Sequence, residues 1–294
     1  MGGDGGNAGM EGGERPRLLG RRSPLWPPEV DHVADPPEEL WIRGRAELLL
    51  RRPRVAIVGT RSPTPYGEAQ AERFAGFLAE RGIAVVSGLA RGIDQRAHAA
   101  ALAAGGATVA VLGSGVDCPW PAGELSRRIA RDGVLVSEHA PGEPPRRHHF
   151  PLRNRLIAGL AAAVVVVEAA YASGSLITAR WAADQGKGVF AIPGRVDHPL
   201  ARGCHRLLRE GASLLEDPAE LLAELGLSPP PDERGAPAPA SPLLRALVGE
   251  TLSAEELGAR LGLPLPAVLV ALVRHELDGE VVRVPGGLYR LPSR

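Results

Sequence analysis

The sequence predicts an α/β protein: an extended, Rossmann-like doubly wound sheet followed by a small winged-helix-like C-terminal domain. Three observations predict it. Short apolar runs such as Val164-Val165-Val166-Val167 alternate with helical stretches, and near-continuous apolar strands suit a parallel sheet buried on both faces. Gly- and Ser-rich turns recur just after these runs, on the rim where doubly wound sheets hold ligands. A Pro-rich stretch then separates this region from a segment of short helices and a terminal hairpin.

Residues 1–24 are Gly- and Arg-rich without apolar period and are expected to form a disordered tail. The main domain is expected over 25–226. It opens with a lead-in containing Trp26, Pro27, Pro28, Pro36, Pro37, Leu40, Trp41 and Ile42, read as an extended strand that packs on the rest of the domain. Strands are predicted over 55–58, 84–86, 108–112, 134–136, 164–167 and 189–192. Helices are predicted near 67–81, 93–104, 123–131, 153–161 and 175–186. Residues 227–241 have the composition of a semi-rigid linker. Beyond it, 242–294 reads as three helices and a β-wing. The helices cover 243–248, a segment opened by the capping box Ser253 and Glu256, and 266–277. Strands at 281–284 and 288–291 flank the turn Pro285-Gly286-Gly287. Winged helices ordinarily enter duplex DNA, but this third helix offers only Arg274 and His275 as basic groups, which favours protein contact or weak DNA contact.

The chain has 294 residues, 44% hydrophobic and 23% charged, with net charge zero. That balance argues against a uniformly basic coat, so local distribution matters more than the sum. Residues 52–226 carry 20 basic and 17 acidic side chains, the one segment that leans positive. No apolar run approaches the ~20 residues needed to span a bilayer. The N-terminus lacks the basic start and apolar stretch of a secretory signal. Cys118 and Cys204 have neither metal-ligand spacing nor a disulfide framework. The expectation is a cytoplasmic protein with no membrane, metal or cofactor.

The turns at the strand ends carry the chemistry. After the first strand come Gly59, Thr60, Arg61 and Ser62, with a helix opening near Tyr66 and Gly67, which suits anion capture at a helix N-terminus. The spacing is not that of a dinucleotide fingerprint. The second strand ends in Ser87-Gly88-Leu89-Ala90-Arg91-Gly92-Ile93-Asp94. Here Gly88 and Gly92 permit close backbone approach, and Asp94 serves either as a helix cap or as a ligand contact. The third strand ends in Gly113-Ser114-Gly115. After the fifth come Ser173, Gly174 and Ser175, whose hydroxyls and amides suit a phosphate or base edge, although Ser173 also fits an ordinary N-cap. The strongest element is the basic loop Arg146-Arg147-His148-His149-Phe150-Pro151-Leu152-Arg153-Asn154-Arg155. It holds four Arg and two His in ten residues, and no acid occurs between 144 and 167. Guanidinium for phosphate and a ring for base stacking are what a single-strand pocket requires; a solvated basic loop is the bland alternative. Asn154 is expected at a helix cap. Arg153 and Arg155 cannot share one helix face, so one should point to ligand while the other braces Glu168 or a neighbouring strand.

These residues resemble a known family. Val-Gly-Thr-Arg (58–61), Ser-Gly-Leu-Ala-Arg-Gly-Ile-Asp (87–94), Phe-Pro-Leu-Arg-Asn-Arg-Leu-Ile-Ala-Gly-Leu (150–160) and Ser-Gly-Ser-Leu-Ile-Thr-Ala (173–179) are similar, in order and register, to the DNA-processing protein A (DprA/Smf) family. The match continues through Ala-Ile-Pro-Gly (191–194) and Gly-Ala (211–212) and covers roughly 25–226. The resemblance implies an extended Rossmann fold that binds single-stranded DNA, forms a homodimer, and helps load RecA recombinase during natural transformation. Carried over by position, Arg61 binds phosphate, Phe150 stacks a base, and Arg147 stands where the family usually has Lys, which keeps the charge but changes its geometry. Ser87, Gly88, Arg153, Asn154 and Arg155 shape the pocket. The chain departs from the family in two ways. It lacks room for the N-terminal helical domain of many members, and Cys204 stands where Asn is common.

Two other function classes fit the residues less well. Related folds cleave nucleotide N-glycosidic bonds, but such sites want a Pro-Gly-Gly-x-Gly-Thr-x-x-Glu turn, which is missing, and Glu138 and Glu168 lack partners at evident spacing for acid–base work. A sensor of nucleotide-derived small molecules is the weaker alternative. No nucleophile triad or ATP-binding loop is present, so the expectation is a non-enzyme.

Overall fold

The computed structural model describes residues 15–227, 241–248, 250–284 and 286–291. The chain divides into two compact units, Met1–Ser228 and Pro229–Arg294.

The first unit is built on nine strands: β1 (Arg17–Gly20), β2 (Glu39–Gly44), β3 (Arg54–Val58), β4 (Ala84–Ser87), β5 (Thr108–Val111), β6 (Val134–Ser137), β7 (Ala163–Val166), β8 (Gly188–Ala191) and β9 (Ser213–Leu214). Among the described residues, the helices that connect or follow them are α1 (Pro65–Glu80), α2 (Ile93–Ala103), α3 (Glu124–Asp132), α4 (His149–Leu160), α5 (Ser175–Asp184), α6 (Arg202–Arg209) and α7 (Glu220–Glu224). The sheet order is β1-β2-β6-β5-β4-β3-β7-β8-β9. Strands β3 to β9 run parallel, while β2 joins β6 antiparallel and carries β1 on its outer edge. From β3 the chain winds outward through β4, β5 and β6, then returns to β3's other side at β7. The reversal opens a crevice beyond the carboxyl ends of β3 and β7.

Alternation along each strand explains why helices cover both faces. Val55 and Ile57 pack with Phe74 and Leu78 of α1 and Ile93 and Ala97 of α2. Ala56 and Val58 face the opposite way, toward Leu156, Ile157 and Leu160 of α4 and Ala179 and Ala182 of α5. Both sets are fully or nearly fully buried, so the strands read as continuous apolar runs rather than alternating ones.

The first unit corrects the sequence reading at two places. The tail expected over 1–24 does not extend that far, because Arg17–Gly20 forms β1, paired antiparallel with β2, and Leu19 is buried. A four-residue edge strand draws its order from its neighbour's unpaired backbone groups, which local composition does not reveal. Residues 1–14 lie outside the described residues. The basic segment is also not a loop from 150 onward, since α4 begins at His149. Pro151 is its third residue, where a helix needs no backbone donor.

The second unit contains α8 (Pro242–Ala246), β10 (Leu252–Ser253), α9 (Ala254–Leu261), α10 (Leu265–Leu277), β11 (Val282–Val284) and β12 (Leu288–Arg290). Its sheet order is β10-β12-β11. Leu243, Leu247, Leu257, Val268, Leu272 and Tyr289 form its core. The Ser253 hydroxyl accepts from Glu256 N at 3.1 Å, and Glu256 Oε2 accepts from Ser253 N at 2.7 Å, the reciprocal capping box read from the sequence. Three helices and a β-wing make this a winged helix. Of the Pro-rich linker expected over 227–241, residues 228–240 lie outside the described residues. Among the described residues, no single helix is long and apolar enough to cross a membrane.

Candidate functional site

Beside the crevice, the end of β3, the turn after β4 and the first turns of α4 and α5 line a cavity of about 260 Å³. Its floor is a set of buried polar groups already committed to one another. Ser87 Oγ donates to Ile57 O at 2.6 Å. The Asp94 carboxylate accepts from Gly88 N at 3.1 Å. Arg153, only 3% exposed, donates to Gly88 O at 2.7 Å, to Val111 O, and through Nε to Asn154 Oδ1 at 3.0 Å. Asn154 Nδ2 in turn donates to Gly174 O at 3.3 Å, which ties α4 to the turn before α5. A Cβ on Gly88 would overlap the Arg153 guanidinium, so that position needs glycine for close approach. Burial raises the Asp94 carboxyl and lowers Arg153 to about 10, which leaves the guanidinium charged at neutral pH.

The half-buried Phe150 ring has two guanidiniums within 6 Å of its centroid. Arg61 Cζ is 5.6 Å from the ring centroid and Arg153 Cζ is 5.9 Å away. Arg61 and Arg147 are exposed, and neither has a hydrogen bond or ion pair to any described residue. Ser173 Oγ lies 2.8 Å from Ser175 Oγ and accepts from Ser175 N at 3.3 Å, which places both hydroxyls and Gly174 on the cavity's far wall. Three Arg line the cavity against one acid, Asp94, which Gly88 already engages.

Eight of the eleven residues singled out in the sequence line this cavity: Arg61, Arg147, Phe150, Arg153, Asn154, Ser173, Gly174 and Ser175. The other three lie elsewhere. Ser87 and Gly88 belong to the floor's bonded network without lining the cavity. Arg155 points away, where its guanidinium grips Glu138 at 2.6 and 2.9 Å and donates to Ala34 O and Asp35 O, anchoring the lead-in to α4. Of the two braces expected for one of these arginines, Glu168 or a neighbouring strand, Glu168 is not used: Arg155 holds Glu138 and Arg153 holds Val111 O of β5, while Glu168 accepts from Thr64 Oγ at 2.5 Å and Thr64 N at 2.9 Å. Asn154 is no cap either, because it lies inside α4, whose N-cap position is His148. Asp94 belongs to the first turn of α2 and holds the Gly88 turn rather than capping its own helix, whose N-cap is Gly92.

Trp120 is a residue that sequence reasoning misses. Its ring meets the Phe150 ring edge-on, with centroids 5.6 Å apart and planes at 63°. It is 39% exposed, in the turn between β5 and α3. Its one sequence signal is an aromatic between Pro119 and Pro121 in a stretch with no apolar period, where packing gives it no reason to be.

Comparison with known proteins bears on the fold and the family. The sequence model of the family described as DNA recombination-mediator protein A matches residues 17–226, and that of the DprA winged helix domain matches 227–287. Protein Smf of Escherichia coli (strain K12) is 39% identical over 289 residues, covering 93% of this chain and 77% of that protein. The putative DNA processing protein DprA of Mycobacterium tuberculosis is 50% identical over 196 residues, 65% of this chain and half of its own length. The crystal structure of DNA processing protein A from Streptococcus pneumoniae aligns at TM-score 0.68 and 41% identity, covering 72% of this chain and 75% of that one. A structure of DNA processing protein A from Helicobacter pylori, described for its single-stranded DNA binding mode, aligns at TM-score 0.66 and 31% identity over 72% of this chain and 96% of that one. With both of its units matched and the extended Rossmann-like architecture shared, this chain belongs to the DNA recombination-mediator protein A (DprA/Smf) family.

Proposed function

We propose that this chain binds single-stranded DNA in the Phe150 cavity without changing it chemically. One observation carries the reading: an aromatic ring has an exposed and a buried guanidinium within 6 Å, in a cavity where Arg outnumber acids three to one. A flexible strand can turn a base onto the ring and lay its phosphates on Arg61 and Arg147. A duplex keeps its bases stacked inside and offers the ring none. The relative from Helicobacter pylori, described by its single-stranded DNA binding mode, supports the same reading. The family resemblance extends it: the chain acts as a cytoplasmic homodimer that protects incoming DNA and helps load RecA recombinase during natural transformation. Against an N-glycosidase, neither Glu138 nor Glu168 lines the cavity, and both carboxylates are already held by other side chains.

Fluorescence anisotropy with single-stranded and duplex oligonucleotides at two salt concentrations tests this. The expected result is preferential binding of the single strand with a steep salt slope. Replacing Arg61 and Arg147 together with Ala should lower that slope by about 1.4, roughly 0.7 for each phosphate no longer neutralised. Equal binding by the double variant would remove the cavity from consideration, and release of free base from nucleoside monophosphates would favour the enzyme reading. Light scattering reads the homodimer, and RecA filament assembly on single strands reads the handover.

A further inference from the structure

We infer that a divalent transition-metal cation binds at His139, Glu143 and His149, on the side of α4 away from the Phe150 cavity. Each residue offers a ligand atom within 4.8 Å of the other two. His149 Nε2 lies 3.6 Å from Glu143 Oε1, and His139 Nδ1 lies 3.5 Å from Glu143 Oε2. Ligand atoms bound about 2.0–2.1 Å from a tetrahedral zinc sit roughly 3.3 Å apart. The two separations run to different oxygens of the Glu143 carboxylate, so each imidazole stands near ligand-to-ligand spacing from Glu143.

The hydrogen bonds define which atoms face the ion. His149 is buried, and its Nδ1 lies 3.1 Å from the Gly113 carbonyl, which only accepts. The proton therefore sits on Nδ1, and Nε2 turns its lone pair toward the Glu143 carboxylate. Two electron-rich atoms in that arrangement attract only when a cation or a proton lies between them. An imidazole N–H on a backbone carbonyl with the other nitrogen toward the ion is also the usual support of a ligating histidine. Glu143 is pinned on its turn, with its N–H on Ala140 O at 3.1 Å and its carbonyl accepting from Gly115 N at 2.9 Å. The His139 ring stacks on His149, with centroids 3.8 Å apart and planes at 18°, so shared ligation requires one ring to turn. His139 is the ring that can, because its Nε2 is buried with no hydrogen-bond partner among the described residues. A neighbouring space of about 330 Å³ leaves room for water in a fourth position. Two imidazoles and one carboxylate suit Zn²⁺ or Co²⁺ rather than Mg²⁺ or Ca²⁺.

Titrating the full chain, stripped with a chelator, with Co²⁺ tests the site. The expected result is one Co²⁺ per chain, with the visible ligand-field bands of a nitrogen–oxygen site, displaced by Zn²⁺. Glu143→Gln and His139→Ala should each weaken Co²⁺ binding by more than about tenfold at unchanged far-UV circular dichroism. Glu143→Gln keeps the side chain's shape, so it decides the matter even if His139→Ala fails to fold. The inference is overturned if the parent shows no saturable Co²⁺ binding, since the shared species would then be a proton. It is equally overturned if Glu143→Gln binds as the parent does. A thiolate charge-transfer band would overturn it too, by placing the ion on a cysteine.

Discussion

Arg153 and Phe150 lie one helical turn apart on α4 and carry opposite loads. Arg153 is buried, satisfies the Gly88 and Val111 carbonyls and offsets the buried Asp94 charge. Truncating it leaves those groups without a partner, so Arg153→Ala should destabilise the first unit by about 3–5 kcal/mol, measured by urea unfolding. The half-buried Phe150 supports little of the fold. Phe150→Ala should leave the urea midpoint nearly unchanged while weakening single-strand binding by about 1–3 kcal/mol. A large stability loss in Phe150→Ala, or none in Arg153→Ala, would reverse these assignments. Residue type and local pattern alone do not show that Arg153 is buried and Arg147 exposed, because burial is set by partners far along the chain.

The elements themselves are more legible in the sequence than their ends. Apolar runs of three to five residues locate six parallel strands within a residue, since such a run is a local signal. Helix α4 begins four residues earlier than the pattern suggests, because His148, His149 and Pro151 interrupt the apolar period although Pro is tolerated in a first turn. The docking of α2 onto the sheet rests on a contact that periodicity does not register. His98 is fully buried with Nδ1 2.6 Å from Thr108 Oγ of β5, and Thr108 Oγ donates to Val85 O of β4 at 2.9 Å. Desolvation, with Arg153 adding to it, lowers His98 from 6.5 to about 3. The folded state therefore excludes a proton that the unfolded chain accepts below about pH 6.5. Its stabilisation is full above that pH and declines as pH falls toward 3, at a slope of about 1.4 kcal/mol per unit. Between pH 7 and 5 the unfolding free energy should drop by about 2 kcal/mol from this group, and His98→Asn should flatten that part of the profile. An unchanged slope in the variant would show that other groups carry it.

At the scale of the whole molecule, the two compact units each hold a core of their own. Every residue of the proposed cavity belongs to the first. A chain ending at Ser228 should therefore fold alone and bind single strands within about threefold of the full protein, a difference of roughly 0.7 kcal/mol. A loss beyond tenfold in an anisotropy titration would assign the winged helix a direct share of the strand. On α10 of that unit, Leu269, Val270, Val273 and Leu277 are exposed, which gives its outer face an apolar rather than a basic character. That agrees with the scarcity of basic groups in this helix's sequence and sets it apart from a recognition helix for duplex DNA.

The sequence by itself determined the strand–helix alternation, the Gly-rich turns at the strand ends and the residue types gathered in the basic segment. These rest on neighbours a few positions apart, and periodicity reports them directly. Only the tertiary structure decided which arginine stands exposed and which is buried beneath the cavity. Arg153 meets its acceptors across 65 and 42 residues of chain, and Arg155 reaches Ala34 across 121. The same holds for β1, whose order comes from β2, and for Trp120, which meets Phe150 only when the ends of β5 and β6 share a rim. Partners so distant along the chain leave no local pattern, because their meeting is a consequence of the sheet order.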